Sequence, residues 1–118
     1  MIKAKRVWMP LFIADYTLDT KHLSTEQHGA YFLLIMNYWV TGGLPHDDTE
    51  LARLAGLPLD QWLVHKPVIQ RFFHRGWKHK RLDAEIDRAT DLIRKRRAAG
   101  SKGGTVSSIR RTRKIKLV

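Results

Sequence analysis

The chain has no cysteine among its 118 residues, which excludes a disulfide framework, thiolate metal sites and a cysteine nucleophile together. Its most apolar run, residues 31–40, is interrupted by Asn37 and falls well short of the roughly 20 residues that cross a bilayer. The basic opening at residues 1–6 is not followed by an apolar region ending at a small-residue cleavage site, so no secretion signal is expected. Acid is missing from the C-terminal end: residues 94–118 hold ten Lys or Arg and no Asp or Glu. These gaps point to one domain without covalent staples, in a reducing cytoplasmic setting and with no membrane partner.

Charge is what the chain does have, and it is sorted by position. The total is +11, yet residues 1–93 carry 12 bases against 11 acids. Within them, residues 14–50 carry six acids and only Lys21, whereas residues 53–81 carry seven bases against Asp60 alone. An acidic side and a basic side are expected, and the basic side attracts polyanions.

Local patterning sets the elements. Residues 7–13, with Pro10 inside, suit an edge strand or extended arm, and residues 14–20 a short helical turn with Asp15 and Asp19 as caps. Ser24 with Gln27 has capping-box form after the staple residue Leu23. It opens a long helix to about Val40, whose core face rests on Ala30, Leu33, Leu34 and Val40, widened by Tyr31, Ile35 and Tyr38. Gly42 and Gly43 stop it. Pro45, Asp47 and Asp48 start a short helix to Ala55, closed by Gly56. Another helix starts near Leu59 with Trp62, Leu63 and Ile69 inward and a kink or split at Pro67, which completes a helix-turn-helix outline. Residues 72–82 read as a small β-hairpin turning at Arg75 and Gly76. Asp83 opens a last helix along Leu82, Ile86, Ala89 and Ile93, with acids in its first turns and bases in its last.

The resulting fold class is mainly α with a small β-hairpin: a winged-helix-like domain over residues 1–99, followed by a basic flexible tail over residues 100–118. In such a fold the second helix of the turn enters the major groove and the wing touches the phosphate backbone. Duplex DNA is the expected partner. The candidate nucleic-acid-binding residues are Arg53, Lys66, Gln70 and Arg71 around the recognition helix, and Arg75, Lys78 and Lys80 on the wing. Arg94, Lys95, Arg96, Arg97, Lys102, Arg110, Arg111, Arg113 and Lys114 would add counterion release without sequence preference. Trp8, Trp62 or Trp77 would stack on single-stranded bases where exposed.

Catalysis and metal binding are not expected. The six histidines form no His-x-x-x-His pair, and the acids beside His46 are accounted for by helix capping. Gly100-Ser101-Lys102-Gly103-Gly104-Thr105 lacks the spacing of a phosphate loop, so no cofactor is expected. A second reading is a protein-interaction module whose acidic side, Asp15, Asp19, Asp47 and Asp48, engages a replication or host protein. A third is RNA or membrane-surface binding through the tail.

Several motifs together resemble a known family. They are Phe12-Ile13-Ala14-Asp15-Tyr16, Thr20 with Leu23-Ser24, His28-Gly29-Ala30-Tyr31, Leu44-Pro45 with Asp47-Asp48, and Leu51-Ala52-Arg53-Leu54-Ala55-Gly56. Trp62, Lys66-Pro67-Val68, Phe72-Phe73, Gly76-Trp77-Lys78-His79-Lys80-Arg81-Leu82 and residues 98–104 continue the match. From Pro10 to about Gly104 the chain resembles the YdaU-like family of phage and prophage proteins. The resemblance implies a winged-helix-like domain of prophage replication regions, often N-terminal in longer proteins that look like replication initiators or partners of helicase loaders. It brings no catalytic residues. The expected role is in phage replication initiation or its regulation, with an accessory factor or regulator as the form for a chain that ends soon after the basic linker.

Overall fold

The computed structural model describes residues 8–116, with side chains over residues 8–100. Its helices are α1 (Ile13–Asp19), α2 (Thr25–Thr41), α3 (Asp48–Ala55), α4 (Leu59–Gln70) and α5 (Lys80–Lys116). The fold is mainly α. Contacts divide it into two units, Met1–Asp87 and Arg88–Val118.

In the first unit α2 is the central element. Ser24 Oγ accepts the Gln27 N–H at 3.1 Å and Gln27 Oε1 accepts the Ser24 N–H at 3.0 Å, closing the expected capping box. Gly42, at φ 88°, ends the helix in the left-handed conformation. Five of the seven expected core positions are buried, Ala30, Tyr31, Leu34, Ile35 and Tyr38, together with Trp39; Leu33 and Val40, also expected inside, are exposed. Apolar residues surround α2 on most sides, so spacing does not select a face. The large rings gain most from burial and turn inward.

Asp47 caps α3 by accepting the Glu50 N–H, and Gly56 closes it at φ 74°. A β-carbon at Gly56 would stand 3.3 Å from Leu33 Cδ1, so glycine meets both the backbone and the space requirement. A three-residue turn leads to α4, which buries Trp62 and Ile69. Leu63, expected inside, is exposed. Pro67 does not split α4, which runs on to Gln70. The helical donor Pro67 lacks would have served Leu63, which stands on the solvent side where water can replace it.

The expected hairpin is reduced to one antiparallel bridge between His74 and Lys78, and no longer strand forms among the described residues. The paired N···O distances are 2.6 and 3.3 Å. Gly76 at φ 75° and Trp77 at φ 57° curl the chain before a second bridge can form. The left-handed tryptophan costs about 1–3 kcal/mol. Its burial offsets this, with ring centroids 5.2 Å from Phe73 and 5.8 Å from Trp62.

Residues 8–12 are irregular rather than a strand, and Val7 lies outside the described residues. No side chain caps α1; Asp15 pairs with Arg81 instead. α5 begins at Lys80, ahead of the expected Asp83, because His79 Nδ1 accepts the Leu82 N–H at 3.2 Å and acts as a cap. In the second unit Asp91 pairs with Arg94 at 3.7 Å and with Lys95 at 3.1 Å. Helical backbone continues past residue 100 to Lys116, where the glycine-rich sequence was expected to leave the helix. No helix among the described residues is long and apolar enough to cross a membrane.

Candidate functional site

The segment between the end of α4 and the start of α5 concentrates cations. Arg71, at the C-cap of α4, and Arg75, Lys78 and Lys80 around the His74–Lys78 bridge are all exposed. None of the four has an ion-pair partner among the described residues. Phe73 and Trp77 point into the core. The alternation of buried ring and exposed base therefore leaves the outer side of this corner cationic.

The other candidate residues are placed differently. Lys66 is tied to Asp48, Nζ to Oδ1 at 3.0 Å. Arg53 pairs with Glu50 one turn earlier on α3. Gln70 is exposed at the end of α4. The rest of the solvent side of α4 offers Leu59, Asp60, Gln61, Leu63, Pro67 and, at 72% exposure, Val64. This is not a basic groove-reading face. Arg96 and Arg97 are exposed, whereas Arg94 and Lys95 share Asp91. The side chains of Lys102, Arg110, Arg111, Arg113 and Lys114 lie outside the described residues. Of the tryptophans considered for stacking, Trp62 and Trp77 are buried and Trp8 is 75% exposed.

A polar network missed in the sequence fixes the far end of the corner. Tyr38, wholly buried, donates its hydroxyl to Asp83 Oδ1 at 2.5 Å and accepts the His79 backbone N–H at 3.1 Å. Burial, and then the Asp83 hydrogen bond, push the Tyr38 phenol up to about 12, so it stays a donor at any working pH. Burial holds the His79 imidazole below its usual range, against the opposing pull of Asp83. The neutral ring accepts at Nδ1 and so carries its proton at Nε2, which lies 3.0 Å from the Tyr31 hydroxyl. The only hint in the sequence is a histidine directly before a helix start, a position usually read for Ser, Thr, Asp or Asn.

Several of the remaining acids and histidines do structural work. Asp48 accepts from the Trp62 indole N–H at 3.0 Å and from Lys66 Nζ, and these two hydrogen bonds hold its carboxyl below the usual range. His65 joins α4 to α2 through Glu26 at 2.6 Å and Gln27 at 3.1 Å. His28 meets the Tyr16 hydroxyl at 3.0 Å. No cluster of three His, Asp or Glu that could hold a metal occurs among the described residues. Of the four acids proposed for a protein-docking side, Asp47 caps a helix, Asp48 and Asp15 are paired, and Asp19 has no ion pair among the described residues.

Comparison with known proteins agrees with the family resemblance. A family described as "Protein of unknown function (DUF1376)" matches residues 7–87. The chain is 41% identical over 102 residues to the Escherichia coli (strain K12) protein named "Uncharacterized protein YdaU", an alignment covering 84% of this chain and 35% of that protein. It thus spans about a third of the length of that curated relative. No solved structure matches. The chain belongs to the family matched over residues 7–87.

Proposed function

We propose that this family member is a non-enzymatic DNA-binding protein that grips the phosphate backbone of duplex DNA through Arg71, Arg75, Lys78 and Lys80. The observation that carries this reading is four exposed cations within ten residues, free of ion pairs among the described residues, while Arg53, Lys66 and Arg81 are each engaged by a carboxylate. Cations without a carboxylate partner are the ones that can exchange counterions for phosphate at least cost. We read the His74–Lys78 bridge as a wing shortened to a turn within a winged-helix-like arrangement of α2, α3 and α4. The bases of residues 94–116 would add attraction that is indifferent to sequence.

The reading differs from groove recognition by α4, since the one base of that helix, Lys66, is paired with Asp48. Weak sequence preference and strong salt dependence are its consequences. A role in phage replication initiation or its regulation, implied by the family resemblance, is the setting proposed for it. The test is filter binding of duplex DNA by the full chain and by Lys78→Ala/Lys80→Ala, with circular dichroism to establish that both are folded. Binding should weaken roughly tenfold at low salt; equal affinity would remove the corner from the interface.

One observation favours a second reading, a protein-interaction module. Leu59, Leu63 and Val64 form an exposed apolar strip on α4, and such a surface suits a protein better than a polyanion. A partner held through high salt and nuclease treatment, and lost on Val64→Asp, would favour it over DNA.

A further inference from the structure

A ladder of rings stands beside the basic corner. Tyr31 of α2 stacks on Phe72 with centroids 4.5 Å apart and planes 24° from parallel, and Phe72 stacks in turn on His22, at 5.8 Å and 20°. Tyr31 is buried and Phe72 half-buried, whereas His22 is exposed. The ladder therefore runs from the core to solvent and ends on an imidazole. The His22 side chain has no other ring contact, hydrogen bond or ion pair among the described residues. Its face turned away from Phe72 is thus not taken by another ring.

The chain sets this ring among cations. Arg71, one of the four corner residues, directly precedes Phe72, and Lys21 directly precedes His22. Both are exposed, and neither has an ion-pair partner among the described residues. Of the acids close by in sequence, Glu26 is engaged by His65, and Asp19 lines a cleft with Tyr16 and Tyr31. The turn that carries His22 is anchored, since Thr20 and Leu23 are buried on either side and the Leu23 N–H donates to the Thr20 carbonyl at 3.0 Å.

An exposed flat ring, backed by a second ring and flanked by a guanidinium and an ammonium group, suits an unpaired base: the base stacks on the ring while the phosphates on either side meet the cations. A continuous duplex makes no use of such a ring, because its bases stack on one another and only their edges face the grooves.

We propose that His22 is a stacking platform for an unpaired nucleobase, so that the protein prefers DNA in which a single-stranded segment adjoins a duplex. The site rests on the reading of Arg71, Arg75, Lys78 and Lys80 as a phosphate surface, which holds the duplex beside the ring. It gives a histidine the stacking role that the sequence suggests for tryptophans, of which Trp62 and Trp77 are buried.

The experiment is fluorescence anisotropy of the full chain with a duplex that is blunt, the same duplex with an overhang of about four adenine nucleotides, and the same duplex with an equally long abasic overhang, which keeps the phosphates and removes the bases. Wild type should bind the base-bearing overhang at least about fivefold more tightly than the abasic one. His22→Ala should bring the two together, and His22→Trp, which restores a ring, should keep them apart. His22 is exposed, so both variants should fold, which circular dichroism verifies. Blunt-duplex affinity should be unchanged in His22→Ala, whereas Lys78→Ala/Lys80→Ala should weaken every ligand and preserve the ratio between the overhangs. Equal affinity of wild type for the two overhangs, or a ratio that survives His22→Ala, would overturn the stacking site and leave the phosphate reading standing. A ratio that depends on His22, with no effect of the corner variant on any ligand, would support the stacking site and remove the corner.

Discussion

Tyr38→Phe removes one oxygen atom and should be among the most damaging conservative changes in the chain. The Tyr38 hydroxyl is the common partner of the Asp83 carboxylate and the His79 backbone N–H, and the residue is wholly buried. A hydrogen bond to a charged group contributes about 1.5–3 kcal/mol, and a buried donor left without an acceptor costs about 1–3 kcal/mol. The phenyl ring keeps its packing and Asp83, only part-buried, can regain a water. The net loss is then about 3 kcal/mol, which lowers the midpoint of thermal unfolding by about 12 °C for a chain of this size. Guanidinium unfolding followed by tryptophan fluorescence measures it: the midpoint should fall while the slope stays unchanged. A loss under about 1 kcal/mol would refute the reasoning, because it would mean that solvent already serves both groups.

Further outcomes follow from the same kind of accounting. Asp48→Ala strands the buried Trp62 indole N–H and should cost about 2 kcal/mol, whereas Asp48→Asn keeps an acceptor and should recover most of it in the same denaturation assay. Because the Asp48 carboxyl sits below its usual range when folded, its contribution is complete above about pH 4 and fades as pH falls through the folded value. His79 behaves in the reverse sense of an ordinary ion-paired histidine: the folded ring is neutral, and the unfolded chain takes up the proton as pH drops through about 6.5. Stability should be full above that pH and decline below it, by up to about 1.4 kcal/mol per pH unit. His79→Asn keeps a capping acceptor without titrating there, so its unfolding midpoint should depend less on pH between about 7.5 and 5. Parallel pH profiles for the two proteins would contradict this.

Much of the fold is legible in the sequence wherever a local signal meets a local need. The Ser24–Gln27 box, the Asp47 cap and the glycines at 42 and 56 bound α2 and α3 as expected, because caps act over three or four residues. Side-chain orientation is less legible. α2 and α4 carry apolar residues on more than one side, so which of Leu33, Leu63 or Tyr38 goes inward depends on partners distant in the chain. The aromatic residues around Arg75 and Gly76 suggest a hairpin, yet burial of Trp77 in a left-handed conformation leaves a single bridge. The candidate site divides for a related reason. A run of bases announces net charge but not its pairing, and the partners of Lys66 and Arg81 lie 18 and 66 positions away. Arg71, Arg75, Lys78 and Lys80 stand apart from the others only once those pairs are seen.

The most direct test of the phosphate-gripping corner is the salt dependence of duplex binding, measured by fluorescence anisotropy for two unrelated DNA sequences. Wild type would be compared with the variant carrying Arg71→Gln, Arg75→Gln, Lys78→Gln and Lys80→Gln. If all four cations sit on phosphates, the slope of log affinity against log salt should become shallower by about 3 to 4, equally for both sequences. An unchanged slope, or a loss confined to one sequence, would contradict the assignment of these residues to the DNA backbone.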